Sequence, residues 1–333
     1  MSFKLFIKPI NGLGDKIINV LGAAVYSHYK NFDLKIFLNE GILFYKFGSS
    51  NFYDLSLFNF NSINVYNNES EYKNENAGVL ENAMQFINPD AIVSITPYCV
   101  YQKLKSENIS LSFQEVSELF IKIAKNVQPS ELISNYIPSN IEKAYGIHLR
   151  KSDKIKENPD IRHEMSPSEN AILMDKLLTT INDIIEVEEV PVFYVTSEDN
   201  DHKKQFSESI INIAKSKSKQ VIILETDPEN IPENVKSICN YSSVLDLFCL
   251  SKCKTIIQGT RYSAFSVIAA LIGNQNIINL SRYLESDKLC IMYLWNSVLT
   301  INGVKNFDEA KYKKLIDKYK ELNVFYGDFY ISW

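Results

Sequence analysis

His148, Arg150, Lys151, Asp153 and Lys154 fall within one seven-residue stretch, directly after the mostly apolar run 145–149. A strand that is buried along its length and then releases this many ionisable groups at its C-terminal end has the layout of a ligand crevice in an open α/β sheet. The planar fork of Arg holds two oxygens at once and Lys adds compact positive charge, so the cluster suits a phosphate. The plainer reading of the same residues is a surface strand end whose charges are solvated. A second candidate is Gly12-Leu-Gly14-Asp15, between the first strand and the first helix. Glycines there let the backbone turn sharply and let a ligand approach the helix N-terminus, whose free N–H groups favour anions. Three readings stay open for it: a substrate-facing loop, a structural turn, and a broken dinucleotide fingerprint. The last lacks its third small residue, because Ile17 holds that place, and Glu40 lies past the end of its strand.

These residues need elements to carry them. In the first half, Lys4–Pro9 reads as a strand. A helix follows, with Ile17, Ile18, Leu21, Ala24 and Val25 at helical spacing. Leu34–Leu38 and Ala91–Ile95 read as further strands, and Ser112–Val127 as a helix. Residues 45–80 are rich in aromatics and Asn and are assigned to no element. Residues 128–140 hold Pro129, Pro138 and several Ser and Asn, so the linker is placed there.

The second half alternates more cleanly. The predicted strands are Tyr145–Leu149, Val190–Thr196, Gln220–Leu224, Thr255–Gln258 and Asn276–Leu280. Helices are predicted from Ser166-Pro-Ser-Glu169 to about Asp183, then over Asp199–Lys215, Ser243–Lys252 and Tyr262–Ile272. Ser166 is a cap, with Pro at the first helical position and Glu at the third. Strands alternating with helices imply a parallel, doubly wound sheet, so the fold class is α/β. Phe307–Leu322 reads as an amphipathic helix able to pack back across the domain boundary. The expected division is 1–138, 139–300 and a tail, 301–333.

Composition narrows the function classes. The chain has 333 residues, enough for two ordinary domains. Its net charge of −5 argues against binding nucleic acid through a basic surface, yet leaves room for a local basic pocket at Arg150. No apolar run approaches the ~20 residues that span a bilayer. Residues 1–7 read as a first strand and not a signal peptide, and the expected location is cytoplasmic. Cys99, Cys239, Cys249, Cys253 and Cys290 include no CxxC pair, so buried free thiols are expected. The four histidines show no metal spacing, and there is no clear Asp-x-Asp; Glu198-Asp199-Asn200-Asp201 is more simply an acidic helix start. The Asn-x-Ser triplets at Asn68, Asn108 and Asn240 are what chance gives in so Asn-rich a chain.

The stretch His148-Leu-Arg150-Lys151-Ser-Asp153-Lys154 resembles the donor-binding motif of the α1,6/α1,2/protein O-fucosyltransferase superfamily. The nearest pattern is His-Val-Arg-Arg-Thr-Asp-Lys of the α1,6 branch, which includes the nodulation fucosyltransferases. Two more matches follow in order. Val192–Asp199 resembles the family's strand ending in Ala-Thr-Asp-Asp. Val244-Leu-Asp246 through Cys253, a strand, and then Gly259-Thr260-Arg-Tyr-Ser263-Ala-Phe-Ser266 resemble its third motif. The Gly12–Asp15 loop fits the family's N-terminal glycine loop, except that Asp15 stands where an amide is common. The resemblance covers residues 145–266 well and the first half only through that loop.

The resemblance implies a GT-B fold: two Rossmann-like domains facing a central cleft, with the donor held by the C-terminal one. It implies inverting transfer without a metal or other cofactor, from a GDP-sugar, usually GDP-fucose, to a glycan or a lipid- or protein-linked saccharide. It implies that His148 and Asp246 contact the nucleoside. Asp246 would accept from the guanine N1–H and amino group and so select GDP over UDP. Gly12 and Gly14 would face the donor. Arg150 would stabilise charge growing on the leaving diphosphate, assisted by Lys151 or Lys154. Thr260 and Ser263 would donate to the same group from a helix start. Asp153 would anchor the loop. The acceptor base is open. The family's Glu falls at Asn158 here, with Glu157 one place short, and Asp160, Glu164 and Asp15 are alternatives. Two other classes remain: a nucleotide-sugar or glycan-binding protein without turnover, and a nicotinamide-dependent oxidoreductase built on Gly12–Gly14.

Overall fold

A computed structural model describes residues 4–7, 12–31, 33–37, 58–60, 65–66, 97–150, 155, 165–226, 230–238, 241–260 and 263–280. The expected strand Ala91–Ile95, most of 45–80 and the tail 301–333 with its Phe307–Leu322 helix lie outside these residues.

The first half opens with β1 (Lys4–Ile7), α1 (Leu13–Lys30) and β2 (Asp33–Phe37). β1 pairs in parallel with β2, and β2 with β4 (Val65–Tyr66). β3 (Phe58–Phe60) pairs antiparallel with β5 (Val127–Pro129). Between them come α2 (Pro97–Ser106) and α3 (Phe113–Ala124). Sequence reasoning did not assign α2, although Pro97 at its first position is a helix-start signal. The stretch expected to be a linker is itself structured: β5 leads into α4 (Glu131–Ser134) and a 3₁₀ turn, Ile141–Lys143.

The second half is one five-stranded parallel sheet. Its strands are β6 (Tyr145–His148), β7 (Val192–Thr196), β8 (Ile222–Leu224), β9 (Thr255–Gln258) and β10 (Asn276–Asn279). The helices between them are α5 (Pro167–Val187), α6 (Asn200–Ser216), a short α7 (Glu233–Lys236), α8 (Tyr241–Lys252) and α9 (Ala264–Gly273). The spatial order β10-β9-β6-β7-β8 makes the doubly wound pattern, and the order reverses between β6 and β9.

Alternation along the strands divides the core. Ile147, Phe193, Val195 and Ile257 face α5 and α6 and are fully buried with Leu173, Leu177 and Ile210. Tyr194 and Ile256 face the other way, toward Val244, Phe248, Val267 and Leu271 of α8 and α9. That second core is continuous with Ile17, Leu21 and Val25 of α1 and with Val116 and Phe120 of α3, so one apolar cluster joins both halves. Cys249 and Cys253 are free and buried in it, and burial pushes the Cys249 thiol up to about 12.

Helix starts follow local chemistry. Ser166 accepts from the backbone N–H of Glu169, and the Glu169 carboxylate accepts from that of Ser166. This reciprocal box satisfies two backbone donors that the helix leaves over. Asp199 caps α6 by accepting from the N–H of His202. Ser166→Ala should lower unfolding free energy by about 1 kcal/mol, read from chemical denaturation, with the native circular dichroism unchanged.

Candidate functional site

Parallel register brings β6, β7 and β9 to an end together. His148 stands opposite Thr196 on one side and Gln258 on the other. Their side chains share the face covered by α8 and α9, because each lies two residues past a residue already on that face. The row sits at the carboxyl edge beside the switch point between β6 and β9, where open α/β sheets bind ligands.

α8 supplies Asp246. This carboxylate accepts from the Tyr194 hydroxyl on one oxygen and from the Thr196 hydroxyl, at 2.7 Å, on the other. Burial raises its pKa, opposed by the positive charge of Lys203 and by the two hydroxyl donors. Asp246 is nonetheless only partly buried, while Val244, Leu245, Leu247 and Phe248 around it are closed off.

α9 supplies the other wall. Gln258 is fully buried, accepting from the Ser266 hydroxyl at 3.0 Å and donating to the Thr260 carbonyl at 3.1 Å. Ser263 caps α9, its hydroxyl accepting from the N–H of Ser266. That hydroxyl keeps its own proton to donate. Phe265 packs against the His148 ring with centroids 5.1 Å apart.

His148 is held neutral. Burial, then the charge of Arg150 nearby, bring its pKa down to about 3. Its Nδ1 and the Thr260 Oγ1 are buried with no hydrogen-bond partner. A buried polar atom left so costs about 1–3 kcal/mol. Two of them flanking the switch point mark a place shaped for something other than core packing.

Gly14 has a structural explanation. A Cβ there would lie 2.5 Å from the backbone of Ala264 and Phe265. These are backbone atoms that cannot swing aside, so only glycine lets α1 approach α9 this closely. The glycine loop thus sits against the start of the helix that carries Ser263 and Phe265. Gly12 is exposed just ahead of α1.

The structure therefore brings together His148, Asp246, Thr260 and Ser263, with Arg150 half-buried beside His148 and the glycine loop against α9. Lys151, Asp153, Lys154 and Glu157, with Asp160 and Glu164, lie outside the described residues, as does the Asp15 side chain. Tyr194 and Gln258 were missed. Both read as ordinary strand residues, and the only available signal was a polar atom in an otherwise apolar strand. Among the described residues no group of three His, Cys, Asp or Glu is disposed to hold a metal ion, and no helix is long and apolar enough to cross a membrane.

No protein-family profile and no curated protein sequence matches this chain. Solved structures do. An Arabidopsis thaliana FUT1 variant in complex with GDP superposes with a TM-score of 0.51 at 10% identity, over 83% of this chain and 70% of that one. The fucosyltransferase NodZ from Bradyrhizobium gives 0.49 at 13% identity, over 82% and 94%. NodZ α-1,6-fucosyltransferase soaked with GDP-fucose gives 0.48 at 12%, over 82% and 93%. The likeness to the FUT1 structure shows the fold: this chain has the GT-B architecture of two α/β units expected from its motifs.

The His148 shift has a measurable consequence. The unfolded histidine takes up a proton below its ordinary 6.5, whereas the folded one does not until about 3. Stability is therefore lost as pH falls through that window. Between about pH 7.5 and pH 5.5 the wild type should lose about 1.4 kcal/mol more than His148→Gln, read from denaturant unfolding at both pH values. Equal losses would mean that His148 titrates normally.

Proposed function

We propose that this protein is a glycosyltransferase that takes its sugar, L-fucose, from GDP-fucose and passes it to a glycan or saccharide acceptor with inversion and without a metal. The observation that carries the reading is the Asp246 carboxylate, preset by two hydroxyls and partly open, beside neutral His148 and Arg150 at the switch point of a GT-B fold. A carboxylate with lone pairs to spare suits a base edge carrying two N–H donors, which guanine has and uracil lacks. The three motifs in family order, and GDP bound in the FUT1 structure of the same fold, support the same donor.

In this reading residues 139–300 hold the nucleotide, 1–138 face the acceptor, and the tail 301–333 packs back across them. Transfer passes through an oxocarbenium-like state, with negative charge growing on the bridging oxygen of the departing diphosphate. Arg150 meets that charge, with Lys151 and Lys154 beside it in sequence. The unpartnered Thr260 hydroxyl, the Ser263 hydroxyl and the free N–H groups at the start of α9 complete an anion cradle. Neutral His148 offers a hydrogen bond without adding charge. Gly12 borders the cradle across the α1–α9 contact, and Asp153 anchors its loop. Glu157 is the base that takes the acceptor proton, with Asp15 the alternative from the facing loop. The cytoplasm, where sugar nucleotides are made, is the proposed compartment.

Calorimetry with GDP, and with UDP and NAD as controls, tests the donor. GDP should bind in the micromolar range without added metal, and UDP and NAD should not. Arg150→Ala should lower transfer from GDP-fucose by about 3 kcal/mol, a hundredfold or more, with the melting temperature retained. Asp246→Asn, which turns a donor group toward guanine's donors, should weaken GDP at least tenfold. Binding of UDP or NAD in place of GDP overturns the reading, as does near-normal turnover in Arg150→Ala. Turnover abolished by a chelator would overturn metal independence alone.

A further inference from the structure

Tyr194 is fully buried in the middle of β7, every residue of which is buried. Its ring packs in the apolar cluster formed with α8 and α9, a place Phe would fill equally well. What Phe would lack is the hydroxyl, and that hydroxyl donates to Asp246. Thr196, two residues on and therefore on the same face, donates to the other oxygen at 2.7 Å. Lys203, at the start of α6, sits over the Tyr194 ring with its Nζ 5.6 Å from the centroid.

A carboxylate tied at only one oxygen swings about its Cβ–Cγ bond. Tied at both oxygens by donors fixed in a β-strand, it has one plane. Two hydroxyls use two of the roughly four lone-pair positions, and one remains on each oxygen. The remaining pair makes a rigid two-acceptor edge. Such an edge distinguishes a planar partner with two adjacent N–H groups from one with a single N–H.

We propose that Tyr194, with Thr196, is a positioning residue that sets base specificity by fixing the plane of the Asp246 carboxylate toward the N1–H and 2-amino group of guanine. This rests on the reading of the site as a GDP-sugar site. Hypoxanthine is the informative competitor, since it keeps the N1–H and lacks the 2-amino group. With both acceptors aligned, GDP gains over IDP. With the carboxylate released, one oxygen still finds the N1–H, but the second bond fails.

The test is calorimetric binding of GDP and IDP to the full chain, its Tyr194→Phe variant and its Thr196→Val variant. Wild type should prefer GDP about tenfold or more. In Tyr194→Phe, GDP should weaken about tenfold while IDP changes about twofold or less, so the preference collapses. The KM for GDP-fucose should rise with kcat nearly unchanged, because the charge on the leaving group is met elsewhere. A purely structural role for Tyr194 would weaken both nucleotides alike. If Tyr194→Phe fails to fold, Thr196→Val, an isosteric change at a strand end, carries the same test. A folded variant that keeps the wild-type GDP/IDP ratio overturns the inference, and so does a wild type that binds both equally. A wild type that binds neither nucleotide overturns the donor-site reading instead, and this inference falls with it.

Discussion

Everything at the site depends on the register of three parallel strands. His148, Thr196 and Gln258 end β6, β7 and β9 opposite one another. A shift of one residue in any strand would turn its polar end into the core on the other face and bring an apolar neighbour to the crevice. The register is held by burial on both faces: Ile147, Val195 and Ile257 against α5 and α6, Tyr194 and Ile256 against α8 and α9. Because the cores specify the register, the polar row needs no attractive interaction of its own to stay aligned.

Polar groups in this row fall into two kinds. Asp246, Gln258, Thr196, Tyr194, Ser263 and Ser266 satisfy one another, which makes the walls stiff. The His148 Nδ1 and the Thr260 Oγ1 remain unsatisfied. A fully satisfied network costs little and holds its geometry, whereas each unsatisfied atom raises the energy of the protein alone. Asp246 and Ser263 belong to the stiff walls yet keep, respectively, a lone pair on each oxygen and a hydroxyl proton, so rigidity and open bonding capacity meet in the same side chains.

Much of this was legible in the sequence. Strands β6, β7, β9 and β10 and helices α5, α6, α8 and α9 were placed within a few residues, because short apolar runs bounded by Gly, Pro and capping residues leave little choice. Thr255–Gln258 was found with its observed ends, and the Ser166 box formed as read. Gly14 was ambiguous for a physical reason: a glycine that admits a ligand and one that admits another helix's backbone look the same in one dimension. The Tyr194–Asp246 pair was illegible as a pair, since its members are 52 residues apart and meet only once α8 lies on the sheet. The first half was harder to read because its described strands are short and its pairings skip along the chain, β3 meeting β5 across the described helices α2 and α3.

The contact of Gly14 with Ala264 and Phe265 also bears on the order of assembly. It joins positions near opposite ends of the described chain, and closing so long a loop costs conformational entropy that only many other contacts together repay. The sheet and its flanking helices can settle from near neighbours. The start of α9, and with it the seat of Phe265 against His148, is complete only when α1 arrives. A chain whose first helix had not yet docked would present His148, Asp246 and Thr260 without the surface that braces the start of α9.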